Sequence, residues 1–471
     1  MLLLLRKIIF YLLLPLYFLV APYAILYALG YIFNPAGREL FKAGLISITT
    51  YPKSATVFIG GKRYSKRTPA TIRDLLPGIY PVRITRKGYE PWEKEIKVEP
   101  EKAAHLDPVV LLPKRPEEEV ISNQSYRNFI PEVKDFKIFA WEGESLSTLR
   151  KIDLFFKKET LIGAKIPDAE EAALLDFLYK KGSEIVFFKV RHNGKIKFWA
   201  YDLNREKRSA DLSPWLPEDF QFMDWDSKSA DYAYALKKGV LTGFDLRRRN
   251  PPVEIAQGVK GFGVKHSRLY ILREDATLIQ TNKRGQNPKP LFGDTTVTRK
   301  IFGRTPAAFY RIERLKGEFF QKDLLLFLSD RGALVSSRLP YYIAAAGVRN
   351  FQHAARSGEE KMLFWTGRQI GAVDFTKEAT ENFFEKGPEQ HTFYENGRDI
   401  RQAFWACEDS HILFVDEDKV FLLETQTAPY LAREVVRIAP SSGIIYNEGS
   451  HTFYYLDAVH RHLIRRRLAD S

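Results

Sequence analysis

The chain opens with an apolar stretch at positions 8–33 that contains no charged side chain. Bilayer hydrocarbon is about 30 Å thick and a helix rises about 1.5 Å per residue, so a helix of this length would cross it. Arg6 and Lys7 precede the stretch, and the positive-inside tendency then predicts a cytoplasmic N-terminus. We therefore predict a cytoplasmic stub and transmembrane helix at 1–33, a linker at 34–43, and a single-pass plasma-membrane protein whose bulk is extracytoplasmic.

A cleaved signal peptide is the alternative for the same stretch. The apolar part of such a signal is about 7–15 residues long, which is shorter than the stretch seen here. The stretch also lacks a small-residue cleavage site at its end. An uncleaved anchor is therefore the favoured interpretation.

The rest of the chain is rich in basic residues and poor in cysteine. The formal net charge is +14, which favours anionic partners such as an acidic cell-wall polymer. Nucleic acid is disfavoured because the predicted topology exports the chain. Cys407 is the single cysteine, so the chain cannot form an internal disulfide or a thiolate metal cluster.

Residues 44–113 show short alternating apolar and polar runs separated by turn residues, the pattern of a small β-sandwich. The turn and corner motifs are Tyr51-Pro52, Gly60-Gly61, Thr68-Pro69, Pro77-Gly78 and Lys87-Gly88-Tyr89. With these motifs the segment resembles the PEGA domain. The resemblance implies a cell-envelope module that makes contacts and has no catalytic role. One departure from the family pattern is a basic insertion that includes Lys66 and Arg67.

A charged, proline-containing segment at 114–119 reads as a second linker, and a repeat region follows at 120–471. Its units consist of short apolar strands joined by tight turns such as Asn193-Gly194, and they recur at roughly the 40–50 residues of a four-stranded blade. These units resemble TolB-like and WD-type propellers. We predict a mainly β chain with a C-terminal β-propeller of eight blades, or alternatively seven, whose last blade is completed by the first segment.

The sequence contains no familiar catalytic motif. It has no nucleophile elbow, no H-E-x-x-H metal helix and no P-loop. We therefore predict no catalytic residues, no metal site and no cofactor. The alternative is a propeller enzyme that acts on cell-envelope glycan or peptide through carboxylates at the channel mouth.

Runs of basic residues are the candidate binding sites, because they fall in predicted turns and outer strands. They are Arg247, Arg248 and Arg249, then Arg465, Arg466 and Arg467, and finally Lys66 with Arg67. The sequence thus predicts a non-catalytic, membrane-anchored binding or scaffold protein of a bacterial-type cell envelope. Its partner would be an anionic cell-wall polymer or an envelope protein.

Overall fold

The computed structural model describes most of the chain. The described residues are 2–28, 30–34, 39–130, 137–163, 169–180, 183, 185–202, 210–216, 218–226, 232–246, 251–291, 298, 299, 302, 303, 305, 307–315, 324–337, 341–356, 359–375 and 390–468. Strands dominate, so the prediction of a mainly β fold is confirmed.

The predicted membrane span is not supported. Helix α1 covers Leu2–Ala28 and contains Pro15 and Pro22. The last part of the predicted stretch is not helical, because strand β1 (Tyr31–Asn34) pairs with β2 (Glu39–Lys42). Within the described part of the chain, no helix is both long and apolar enough to cross a membrane. The predicted single-pass plasma-membrane localisation is therefore wrong.

Residues 44–113 form a two-layered β-sandwich, called here the sandwich domain. Its strands are β3 (Gly44–Tyr51), β4 (Thr56–Ile59), β5 (Lys62–Arg67), β6 (Ala70–Leu75), β7 (Gly78–Thr85), β8 (Trp92–Val98) and β9 (Ala103–Val110). One sheet has the order β6-β3-β9 and the other β5-β4-β7-β8. Alternate residues of β3 and β8 point inward, and Ile46, Ile48, Val57 and Ile84 pack between the layers.

Residues 118–468, called here the propeller region, form antiparallel sheets in chain order. The strands of its first half are β10 (Glu118–Ser122), β11 (Asn128–Phe129), β12 (Lys137–Trp141), β13 (Arg150–Asp153), β14 (Lys158–Leu161), β15 (Ala173–Leu178), β16 (Ile185–His192), β17 (Lys195–Asp202), β18 (Ala210–Asp211), β19 (Phe222–Trp225), β20 (Tyr232–Lys237), β21 (Val240–Asp245), β22 (Val253–Ala256), β23 (Val259–Lys265), β24 (Arg268–Arg273), β25 (Leu278–Asn282) and β26 (Lys289–Pro290).

The second half continues the same pattern. Its strands are β27 (Tyr310–Leu315), β28 (Leu324–Ser329), β29 (Leu334–Ser336), β30 (Tyr342–Ala344), β31 (Asn350–Arg356), β32 (Glu359–Trp365), β33 (Ile370–Asp374), β34 (Gln390–Tyr394), β35 (Ile400–Ala406), β36 (His411–Asp416), β37 (Lys419–Glu424), β38 (Ala432–Arg437), β39 (Ile445–Asn447), β40 (Thr452–Leu456) and β41 (Leu463–Arg467).

The strand order is that of a β-propeller. Four-stranded sheets are formed by β11–β14, β15–β18, β19–β22, β31–β34 and β35–β38. The strands β23–β30 form one eight-stranded sheet of two antiparallel halves, joined by parallel pairing of β23 with β27. The last sheet has the order β10-β41-β40-β39, so the first strand of the region completes it. This connectivity joins the two ends of the region, which is how a propeller closes.

Polar side chains on the first strand, in chain order, of a four-stranded sheet or half-sheet bind the first strand of the next one. Asp224 accepts a hydrogen bond from the Val264 backbone N–H at 2.9 Å. Gln352 accepts one from the Trp405 N–H at 3.0 Å. Arg311 donates to the Asn350 side chain at 2.8 Å. These bonds fix neighbouring sheets to each other and satisfy polar groups that would otherwise be buried without a partner.

The sandwich domain and the propeller region share a closely packed interface. Val110 and Leu112 belong to the same buried cluster as Leu413 and Leu422 of the propeller region. The backbone N–H of Asp107 donates to the Gln426 side chain at 2.7 Å. The apolar cluster and this hydrogen bond join the two parts, so the orientation of one relative to the other is fixed by packing.

A buried charge cluster lies in the same interface. The Glu424 carboxylate accepts from the Trp92 indole N–H and pairs with the Lys94 ammonium at 3.4 Å. Arg433 approaches Glu424 to 3.9 Å and donates to the backbone carbonyl of Val110. Lys94 points inward because β8 alternates, and burial lowers its pKa despite the carboxylate. The sandwich domain therefore attaches to the propeller region through a carboxylate shared by three side chains.

His411 gives this interface a predicted pH dependence. The imidazole is buried, and burial together with Arg433 and Lys94 lowers the pKa of His411 from 6.5 to about 3. Between these values the unfolded chain binds a proton that the folded chain does not bind, so the free energy of unfolding falls as the pH drops from 6.5 to about 3. The contribution is at most about 1.4 kcal/mol per pH unit.

Urea unfolding of the full chain at a series of pH values measures this contribution. We expect His411→Gln to flatten the acid side of the profile, because glutamine binds no proton in this range. Equal slopes in the wild-type and His411→Gln chains would show that His411 does not carry the effect.

Candidate anion-binding cleft

A basic cleft lies on the sandwich domain and has a volume of about 710 Å³. Cationic side chains make up half of its described lining, and hydroxyl groups supply most of the other polar atoms. The lining residues are Ser54, Thr56, Arg67, Arg83, Thr85, Arg86, Lys87, Tyr89, Pro91 and Lys114.

Strand alternation places part of this lining on the outer face of the sheet. Val82 and Ile84 of β7 point inward, so Arg83 and Thr85 point outward. Thr56 of β4 lies opposite Arg67 on one side and opposite Thr85 on the other. Three neighbouring strands therefore present one continuous polar surface.

A turn and a distant segment supply the rest of the cleft. Gly88 has a φ of 87°, a conformation that favours glycine, and the turn it allows brings Lys87 and Tyr89 to the cleft. The backbone N–H of Lys114 donates to the Gly88 carbonyl at 2.9 Å. This bond holds Lys114 against the turn although the two are far apart in sequence.

The charges in the cleft are only partly balanced. Arg83 pairs with Glu93 at 2.9 Å, but both side chains are more than half exposed, so this pair contributes little. Arg86 donates to the Lys53 carbonyl and lies 5.5 Å from the centre of the Tyr89 ring. The described lining has five cations and no carboxylate, so the cleft carries a positive field.

This lining is suited to binding anionic groups. Guanidinium groups match the oxygen atoms of carboxylates and phosphates, and lysine adds point charges on flexible stems. Ser54, Thr56 and Thr85 add hydroxyl donors. The described lining holds no imidazole, thiol or carboxylate, the groups that most often carry acid–base or nucleophilic steps.

The predicted binding residues that the structure describes do not come together. Arg67 lines the cleft, whereas Lys66 is exposed on the same strand and is not part of the lining. Arg465, Arg466 and Arg467 pair instead with Glu119, Glu118 and Glu117, at 3.2, 3.1 and 2.9 Å. Arg247, Arg248 and Arg249 lie outside the described residues.

Sequence reasoning missed most of the cleft. The alternation of β7 was a usable signal for Arg83, because its inward neighbours Val82 and Ile84 are apolar. No sequence pattern indicated Lys114, because its position in the cleft depends on the hydrogen bond between its backbone N–H and the Gly88 carbonyl. In the part of the chain that the structure describes, no cluster of three or more His, Cys, Asp or Glu side chains could hold a metal ion.

Comparison with known proteins identifies one domain. Residues 43–110 match the PEGA domain family, which confirms the resemblance found in the sequence. No curated protein matches the chain.

Similar solved structures cover the larger part of the chain. The computationally designed Ika8 protein aligns with a TM-score of 0.41 and 9% identity, over 74% of this chain and 100% of the designed one. The β-propeller domain of Cps50 (Swd1) from Myceliophteria thermophila aligns with a TM-score of 0.34 and 8% identity, over 62% and 98%. YCF48 from Cyanidioschyzon merolae aligns with a TM-score of 0.36 and 11% identity, over 63% and 95%.

Proposed function

We propose that this protein is a non-catalytic binding or scaffold protein whose PEGA domain holds an acidic polymer in the basic cleft. The observation that carries the proposal is the lining itself, with five cations and no carboxylate among its described residues. A polymer with repeated negative charges would contact several of these cations at once.

The fold supports this function by fixing the orientation of the cleft relative to the propeller region. The buried Glu424 cluster and the apolar contacts of Val110 and Leu112 attach the PEGA domain to the propeller region. We propose that the propeller has eight blades, because the five simple sheets, the two halves of β23–β30 and the closing sheet each supply four strands. In this arrangement the propeller acts as a rigid support, and its other surfaces remain available for protein partners.

Binding of labelled inorganic polyphosphate to the full chain tests the proposed function. We expect binding at 0.1 M salt and its loss at 1 M, where the Debye length falls from about 10 Å to about 3 Å. Replacing both Arg67 and Lys114 by alanine should weaken binding at least about tenfold, the equivalent of roughly 1.4 kcal/mol. Both side chains are exposed, so the fold should tolerate the change.

The matched control replaces Lys62 and Arg63 by alanine. These two cations are exposed on the same domain but lie outside the cleft lining. Replacing them removes the same amount of positive charge as replacing Arg67 and Lys114. Equal weakening in both double variants would show that overall charge, and not the cleft, binds the polymer. Absence of binding at low salt would refute the proposal altogether.

A further inference from the structure

A pair of exposed phenylalanines lies at the turn between β13 and β14. Phe155 and Phe156 are 77% and 75% exposed, and their rings meet edge to face at 5.0 Å. Burying a phenylalanine side chain is favourable, so two adjacent exposed rings would gain stability if a partner covered them. Adjacent exposed apolar groups rimmed by charged residues are candidates for an interaction surface.

Hydrogen bonds hold the backbone of the turn that carries the two rings. The Asp153 carboxylate accepts hydrogen bonds from the backbone N–H groups of both Phe155 and Phe156, each at 3.0 Å. Leu154 is buried and anchors the start of the turn. Lys157 adopts a left-handed φ of 51° and pairs with Glu119. Little conformational entropy would be lost when such a preorganised turn binds.

The surroundings of the rings carry a positive charge. Lys157 and Lys158 follow directly and are exposed, and Lys137 lies opposite Asp153 in the neighbouring strand. Glu119 is shared by Lys157 and Arg465. The nearby carboxylates are Asp153, Glu119 and Glu159, and they are outnumbered by the cations Lys137, Lys157, Lys158 and Arg465. Aromatic rings flanked by lysine are suited to the boundary between lipid headgroups and acyl chains when the headgroups are anionic.

We propose that this turn, with Phe155 and Phe156 at its tip, inserts into an anionic phospholipid surface as a peripheral contact. A lipid surface accepts a protruding apolar tip without a matching pocket, and its negative headgroups complement Lys157 and Lys158. The contact is independent of the acidic polymer proposed for the PEGA domain, and it assigns no spanning segment to the chain.

A dye attached at position 156 of the full chain tests this contact. Cys407 is buried, and burial raises the pKa of its thiol to about 12, so a Phe156→Cys variant can be labelled at one site. We expect the emission of an environment-sensitive dye to shift to the blue with phosphatidylglycerol-containing vesicles. Brominated lipids should quench the dye, and pure phosphatidylcholine vesicles should have a much smaller effect.

Val459 provides the matched control. It is 79% exposed on another turn, whose backbone N–H groups bind Asp457 at 2.9 and 2.7 Å. A dye at Val459→Cys should not respond, and adding Lys158→Glu to the Phe156→Cys variant should reduce its response. A silent dye at position 156, equal responses at both positions, or equal responses to both lipids would each overturn the proposal. The first of these results would leave an apolar pocket on a protein partner as the better explanation of the tip.

Discussion

Replacing Glu424 by glutamine should lower the free energy of unfolding by about 3 kcal/mol, the usual loss when one partner of a buried ion pair is removed. The Lys94 side chain is 1% exposed, so its ammonium would lose its counter-charge with no access to water. Arg433 would lose the same partner. Glutamine keeps the size of the side chain and an oxygen for the Trp92 N–H, so the change tests charge and not packing. Urea unfolding of the full chain measures the loss.

Two further variants make the Glu424 prediction specific. Glu434→Gln removes an exposed carboxylate that pairs with Lys419 at 3.1 Å, and its cost should stay below about 1 kcal/mol. Adding Lys94→Met to Glu424→Gln removes the unpaired ammonium and should recover part of the stability. A loss below 1 kcal/mol in Glu424→Gln alone would show that Glu424 does not hold the two parts of the chain together.

Reversing the charge of Glu118 should weaken the closure of the propeller. Its carboxylate accepts from the hydroxyl of buried Tyr455 at 2.9 Å and pairs with Arg466 at 3.1 Å. The Arg466 side chain is only 11% exposed, so Glu118→Arg would place two cations together where water screens them poorly. We expect a loss of about 2 kcal/mol, less than for a fully buried pair because Glu118 is partly exposed.

A charge swap distinguishes the loss of the Glu118–Arg466 ion pair from a general loss of stability caused by substitution at position 118. The double variant Glu118→Arg with Arg466→Glu restores opposite charges across β10 and β41 and should recover part of the loss. Glu117→Arg acts on the exposed pair with Arg467 and should cost less than about 1 kcal/mol. If the swap is no better than the single variants, the pair does not contribute to closure.

Local pattern was enough to predict the sandwich domain and the repeated sheets. The alternation of β7 and β8 and the turn glycines are properties of adjacent residues, and the structure follows them. The apolar stretch at 8–33 shows the limit of such reasoning, because composition did not reveal that the helix ends at Ala28 and that Tyr31–Asn34 pairs with Glu39–Lys42.

The features that the sequence did not predict depend on contacts between residues that are distant in the chain. Arg465, Arg466 and Arg467 look like a free basic run in the sequence, and only the pairing of β41 with β10 brings three glutamates opposite them. Lys94 is a charged residue at an inward position, and its counter-ion Glu424 comes from the far end of the chain. Lys114 likewise joins the cleft through the hydrogen bond of its backbone N–H to the Gly88 carbonyl, a contact between distant residues. Of the cleft lining, the basic runs in the sequence therefore identified Arg67 alone.

Lysine reactivity in the presence of polyphosphate is the most direct test of the central claim that the cleft holds an acidic polymer. Lys87 and Lys114 line the cleft, while Lys62 and Lys97 are exposed on the same domain outside its lining. Acetylation followed by mass spectrometry gives the rate at each lysine with and without the polymer. A several-fold slowing at Lys87 and Lys114, with unchanged rates at Lys62 and Lys97, is the predicted result. Unprotected Lys87 and Lys114, or equal protection at all four lysines, would contradict it.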